Sequence, residues 1–151
     1  MNDPAPKDPD FDARVRESFA RQGLMETLGA SLVRVAPGRV EIALATSSAV
    51  SQQHGFVHAG ALASIADSAA GYAALTLMPP GAGVLTAEFK INLMAPGVGE
   101  RMVARGRVIK AGRTLTLAQA DVFAIHEGRE KQIALLTATL MAVEGREGVS
   151  S

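Results

Sequence analysis

Gln52-Gln53-His54-Gly55-Phe56-Val57-His58-Ala59-Gly60-Ala61-Leu62-Ala63-Ser64-Ile65-Ala66-Asp67-Ser68-Ala69-Ala70-Gly71-Tyr72-Ala73-Ala74-Leu75 is the stretch on which the fold turns. Histidines and glycines give its first residues loop character, and Asp67 is then the only charge in the run that follows. A helix that is apolar all round is buried, so this run predicts the core element of the chain. Its alanines at 59, 61, 63, 66, 69, 70, 73 and 74, with Gly60 and Gly71, make a thin rod around which a sheet can curl closely. A run of about twenty residues could reach across a bilayer. The flanks lack an aromatic belt, however, and the strand-like segments downstream need a core partner.

Upstream, Asp8-Pro9 followed by Phe11, Val15 and Phe19 at a spacing of four predicts an N-capped amphipathic helix of about four turns, closed by Gly23. Residues 24–29 read as an irregular or single-turn connector. Residues 30–35 and 40–44 form a hairpin around Pro37-Gly38, a pair suited to a type II turn with Gly38 at positive φ.

Downstream, Pro79-Pro80-Gly81 ends the long helix. Residues 84–94 alternate, with Leu85, Ala87, Phe89, Ile91 and Leu93 on one face and Thr86, Glu88, Lys90 and Asn92 on the other. Residues 101–109, 114–125 and 132–143 make three more strands, turning at Ala111-Gly112 and Glu127-Gly128, and the four are expected to follow one another as an antiparallel meander. The expected fold class is therefore α+β, an antiparallel sheet wrapped around a long central helix. Residues 1–9 read as a flexible leader, 10–144 as one domain and 145–151 as a flexible tail. Edge strands and leftover apolar positions predict a homodimer or a dimer of dimers.

Composition narrows the function. The 151 residues suit a single domain, and no cysteine is present to form a disulfide, a thiolate nucleophile or a thiolate metal site. Fifteen basic residues balance fifteen acidic ones, which gives no electrostatic case for a nucleic-acid partner. Without a hydrophobic signal core near the N-terminus, a cytoplasmic protein with no membrane partner is the expectation. No cofactor or metal is expected: His54 and His58 have helical spacing, but Gly55 makes the segment between them a loop.

The chemistry gathers on the long helix. Its first amides, those of Ala59, Gly60 and Ala61, have no intrahelical acceptor and can polarise a carbonyl. Asp67 reads either as a satisfied structural acceptor, bonded to Ser64, Ser68 or a strand, or as a functional carboxylate, nucleophile or general base. His58, nine residues earlier, is half a turn out of phase with Asp67 and roughly 13 Å away along the axis. If both act on one small group, they come from different subunits, which predicts two sites at a symmetric dimer interface. His58 itself reads as the N-cap, a structural role, with proton transfer as its alternative. His54-Gly55 shapes the preceding loop, and Gln52 and Gln53 are candidate hydrogen-bonding groups. Arg113 and Thr114, with Arg105, Arg107 and Lys110 on the strand before them, read either as a phosphate-holding cluster or as a solvated edge.

His54-Gly55-Phe56-Val57-His58-Ala59-Gly60 with Ile65-Ala66-Asp67-Ser68-Ala69 resembles the H-G-x-x-H-G-G and L-A-D-T-A pattern of the phenylacetate-degradation type acyl-CoA thioesterases of the hotdog-fold superfamily. The resemblance extends to the 32–44 hairpin, to Phe89-Lys90-Ile91-Asn92-Leu93 with Pro96, and to Gly112-Arg113-Thr114-Leu115. It implies a thioester held between the helix N-terminus of one subunit and the acidic residue of the other. By position, Asp67 resembles the catalytic carboxylate, Ala59 supplies the polarising amide, His58 precedes it, and Gln52 stands at the polar position that orients the nucleophile. Two departures stand out: Ala59 replaces a glycine, and Gly71 stands where some relatives carry the Ser or Thr that holds the attacking water, a role Ser68 could take over. His54, Gly55, Gly60, Arg113 and Thr114 are the candidate substrate-binding residues. The expected reaction is hydrolysis of an acyl-CoA, with room for a medium aliphatic or aromatic acyl chain around Ala70, Tyr72, Ala73 and Leu75. The rivals are a hotdog dehydratase or hydratase and a non-catalytic acyl-CoA binding module.

Overall fold

A computed structural model describes residues 4–151. The first three residues of the expected leader lie outside the described residues. Two helices, α1 (Phe11–Ala20) and α2 (Gly23–Leu28), precede the hairpin of β1 (Ala30–Ala36) and β2 (Arg39–Ala45). A short 3-10 turn, Ser48–Val50, leads to α3 (Ala59–Leu75), then β3 (Gly83–Leu93), β4 (Arg101–Ala111), β5 (Leu115–His126) and β6 (Arg129–Val143). The six strands form one antiparallel sheet in the order β1-β2-β4-β5-β6-β3, and α3 packs against β2 to β6. The expected α+β helix-in-sheet fold is the one observed.

Small residues make that packing possible. Ala66, Ala69, Ala70, Ala73 and Ala74 of α3 are fully buried against Ala104, Ala118, Ala120, Ala134 and Ala138 of the sheet, with Ile42, Leu44, Leu136 and Leu140 filling around them. At the Pro37-Gly38 turn, Gly38 has the positive φ expected of it, +70°, and its amide donates to the buried Thr76 Oγ1 at 2.7 Å. The hairpin is thereby tied to the end of the central helix.

Four expectations are corrected. The first helix has 10 residues, fewer than three turns, and Gly23 opens α2 rather than closing α1. The amides of Arg21 and Gln22 turn back onto Ser18 and Phe19, and Gln22 adopts an extended ψ of 101° that breaks the helix. Gly29, at φ +72°, is the left-handed cap, and it closes α2.

Second, the meander begins only at β4. Both neighbours of β4 are already taken, by β2 and β5, so β3 pairs instead with the free edge of β6. Third, β3 does not alternate throughout, because a bulge between Thr86 and Glu88 shifts its register on β6. Thr86 pairs with the buried Leu140 and so faces inward, while Leu85 pairs with Met141 on the outer face. Fourth, Ala70, Ala73 and Leu75 are wholly enclosed in the core and line no acyl pocket; of the four residues proposed, only Tyr72 reaches a cavity.

The long helix ends at Leu75, four residues before Pro79, and Arg14 of α1 holds that end. Arg14 is 8 % exposed, and its guanidinium donates to the carbonyls of Leu75 at 2.8 Å, Met78 at 3.0 Å and Pro79 at 2.7 Å and pairs with Asp8 at 3.2 Å. Cations and donors at a helix C-terminus satisfy carbonyls that have no intrahelical partner. Arg14→Ala is expected to cost about 3–5 kcal/mol, because it strands Asp8 and three carbonyls together. Thermal denaturation reads this as a fall in Tm on the order of 10 °C. Arg14→Lys recovers only part of the loss, since an ammonium cannot fork among three oxygens. An alanine variant melting within about 2 °C of the native protein refutes this capping role.

Candidate active site

The N-terminus of α3 is arranged so that one amide is left open. His58 is the N-cap, extended at φ −62°, ψ 137°, and its Nδ1 accepts the Gly60 N–H at 2.8 Å. Its carbonyl accepts from Ala61 at 2.9 Å and Leu62 at 3.2 Å. Of the three amides expected to be offered, those of Gly60 and Ala61 are therefore taken, and only Ala59 N–H has no acceptor among the described residues. Glycine at position 60 is what admits the imidazole, since a Cβ there meets His58 Nδ1 at 3.0 Å. With Nδ1 accepting, the ring carries its proton on Nε2.

The preceding loop frames that amide. Gln52 N–H bonds to Phe56 O at 2.8 Å, Gly55 N–H returns to Gln52 O at 3.0 Å, and Gln52 Oε1 accepts from His54 N–H. Gly55, at φ +83°, supplies the left-handed residue this tight loop needs. His58 N–H then bonds to Val50 O, and Val57 N–H to Gly97 O, which pins the loop to the link between β3 and β4. Gln52, His58 and Ala59 open into a cavity of about 490 Å³ whose walls include Phe56, Leu93 and Met94. His54 and Gly55 shape the loop but do not line that cavity.

Asp67 opens into a different cavity. Thr86 Oγ1, turned inward by the bulge in β3, donates to Asp67 Oδ1 at 2.8 Å. Burial pushes the Asp67 carboxyl above the ordinary aspartate value, and the Thr86 bond only partly pulls it back. Ser68, Gly71, Tyr72, Thr86 and, from the α1–α2 corner, Ser18 and Gln22 line this second space of about 310 Å³. Eight residues of helix separate Ala59 from Asp67, about 12 Å along the axis. Donor and acid on one reacting carbonyl need contacts near 3 Å, roughly a quarter of that span.

Arg113 and Thr114 lie exposed in the turn between β4 and β5, apart from the N-terminus of α3. Thr114 O accepts from Ala142 N–H, and Met141 pairs with both Leu115 and Leu85, so this turn lies at the Thr86 end of the sheet. Two of the other basic residues of the expected cluster are occupied: Arg105 pairs with Glu130 and Glu41, and Arg107 with Asp121, all on the outer face. Lys110 makes no ion pair among the described residues and lines a shallow space with Gly112 and Thr114. Thr86 and Gln22 are among the residues of the Asp67 cavity that escape a reading of the sequence. Thr86 is hidden by the bulge, which inverts the face that alternation assigns to it. Gln22 carries no local signal, because only the packing of the α1–α2 corner brings it to α3.

The sheet wrapped around α3 is a hotdog fold, and the family that the chain matches is one of thioester hydrolases. A family model described as the thioesterase superfamily matches residues 54–131, more than half of the 151-residue chain, and the chain belongs to that family. A thioesterase family protein from Silicibacter pomeroyi is 51% identical, with a TM-score of 0.88 over 89% of this chain and 99% of that one. The TT0310 protein from Thermus thermophilus is 30% identical, with a TM-score of 0.69 over 80% of this chain and 97% of the other. The E. coli PaaI protein from the phenylacetic acid degradation operon, at 18% identity and a TM-score of 0.80 over 90% and 95% of the two chains, shares the fold. No curated protein matches the chain. Among the described residues no helix is long and apolar enough to cross a membrane.

Proposed function

We propose that the protein hydrolyses an acyl-CoA to a carboxylate and free CoA, in active sites shared between two copies of the chain. The observation that carries this reading is that the open amide at the start of α3, Ala59, and the one carboxylate among the described residues that burial raises, Asp67, face separate cavities on the same chain. A second copy can bring the Asp67 of one subunit to the Ala59 of the other. The thioester carbonyl oxygen then lies on Ala59 N–H, and Asp67 serves as base on water or as nucleophile. A new C–O bond forms at the carbonyl carbon, the C–S bond breaks, and the CoA thiolate leaves to take up a proton. Gln52 and Ser68 orient the reacting groups, His58 and Gly60 hold the helix N-terminus, and His54 and Gly55 shape the substrate loop. Arg113 and Thr114 bind the phosphates of CoA.

Exposed apolar residues support the assembly. Phe89, Leu93 and Met94 are uncovered along and just beyond β3, at the free edge of the sheet, where a second copy completes the site. Leu85, Leu115, Leu117 and Met141 are exposed on the outer face, where two dimers meet. In this reading residues 10–144 are the single catalytic domain of a cytoplasmic protein.

Complementation between two inactive variants tests the shared site. Ala59 is the first helical residue, where proline is well tolerated, and His58 before it already has the extended backbone that proline demands, so Ala59→Pro removes the amide hydrogen and little else. Losing an oxyanion donor costs about 10²–10³ in kcat. Mixed by co-refolding in equal amounts with Asp67→Asn, half of the dimers are hybrids with one intact site each, so CoA release returns to about a quarter of the native rate. No recovery from verified hybrids places both groups in one subunit and ends the shared-site reading. Native protein that binds acyl-CoA and releases no thiol from short, medium, long or aryl substrates is a binding module, the reading that the missing hydroxyl at Gly71 favours.

A further inference from the structure

Deep in the Asp67 cavity, two residues one turn apart on α3 are bridged by a single side chain from the α1–α2 corner. Gln22 Nε2 donates to Tyr72 Oη at 2.9 Å, and Gln22 Oε1 accepts from Ser68 Oγ at 3.3 Å. Tyr72, itself 4 % exposed, shares a further bond with Ser18 Oγ at 3.2 Å and is held edge-on by Phe19, with ring centres 6.1 Å apart. The tyrosine is thus a fixed post, and with its Oη accepting from Nε2 the Gln22 amide turns Oε1 to Ser68.

That orientation determines what Ser68 can offer. Its one proton is committed to Gln22, so toward the cavity it presents only lone pairs. Thr86 has likewise committed its proton to Asp67 Oδ1. Beside the ionised carboxylate, the cavity therefore accepts hydrogen bonds from three directions. A water molecule suits such a site, giving one proton to Asp67 and the other to a hydroxyl oxygen, which leaves its own lone pair turned outward. Gly71 contributes no hydroxyl of its own.

We infer that Gln22 is a positioning residue for hydrolysis: through the Ser68 hydroxyl it orients the water that attacks the thioester beside Asp67. The inference rests on the hydrolase reading above and deepens it. Without Gln22, the Ser68 hydroxyl is free to turn its proton into the cavity, where it competes with the water for Asp67. Gln22 is the N-cap of α2 but makes no side-chain cap bond, so replacing it leaves that helix start intact.

Gln22→Met keeps the length of the side chain and removes both polar ends. CoA release is expected to fall about tenfold in kcat, with KM within about twofold of native, because the water and not the substrate is displaced. Ser68→Ala is expected to show a similar loss. The double variant tests the connection: if Gln22 acts through Ser68, the two together lose about tenfold rather than about a hundredfold. Tyr72→Phe, which keeps the ring and removes the post, gives a smaller loss of the same kind. Multiplying losses in the double variant, or native kcat in Gln22→Met, overturns the inference while Asp67→Asn continues to identify the hydrolase. No thiol release by the native protein overturns both.

Discussion

Asp67→Asn lowers CoA release by about a hundredfold to ten-thousandfold, the range expected when a positioned base is lost. The replacement keeps the size of the side chain and an oxygen for Thr86 to bond, so the cavity and the bulge that shapes it are preserved. What disappears is the ability to take a proton from water or to attack a carbonyl. The same change reports on burial. Desolvation raises the Asp67 carboxyl above the ordinary aspartate value, with Thr86 opposing it. The folded state therefore holds this proton more tightly than the unfolded chain does. Stability attributable to this group falls as pH rises from the ordinary aspartate value through the raised one, and the cost is complete above it. Asp67→Asn removes that cost, so the variant is expected to melt no lower than native near neutrality, with any advantage shrinking in acid. The native pH–rate profile should lose activity on its acid side above the ordinary aspartate range, since only the ionised carboxylate accepts a proton. An active Asn variant, or an acid limb at or below the ordinary aspartate value, rejects Asp67 as the reacting group.

The parts of this molecule legible in its sequence are those governed by local rules. An alanine-rich run with a single charge can only be a core helix, and the strands around it are marked by Pro37-Gly38, Ala111-Gly112 and Glu127-Gly128 turns that the structure retains. His58 as N-cap follows from its place just before that run. What is not legible depends on residues distant in the chain. Alternation along residues 84–94 gives the wrong face for Leu85 and Thr86, because a bulge is a property of two strands in register and not of one. Arg14 lies on a short amphipathic helix, and nothing near it indicates that it caps a helix more than sixty residues away. The meander fails at β3 for the same reason: which edge a strand joins is decided by which edges are already occupied. The site divides in the same way. Ala59 and Asp67 are set by one helix, whereas Thr86 and Gln22 reach Asp67 and its neighbour Ser68 only through the packing of other elements.

Gly106→Ala is expected to destabilise the fold by more than about 3 kcal/mol, at the upper end of what overpacking costs. Gly106 lies on β4, where the sheet passes under the middle of α3, paired with Val40 and Ala120 on either side. A Cβ built there meets the backbone of the helix: 2.2 Å from Ala69 O, 2.3 Å from its carbonyl carbon and 2.8 Å from Ala70 N. None of these atoms belongs to a side chain that can turn away, and both residues are fully buried. The helix must lift from the sheet, which opens voids along the alanine face of α3. Urea unfolding should show the loss as a lower midpoint at nearly constant slope. Gly71→Ala makes the same chemical change on α3 itself with the opposite sign. A Cβ there meets only Leu140 Cδ1, at 4.0 Å, and glycine inside a helix forfeits roughly 0.5–1 kcal/mol relative to alanine. One methyl group thus separates a contact that cannot yield from a space already available. A Gly106→Ala protein as stable as native means that α3 does not bear on the sheet at Gly106.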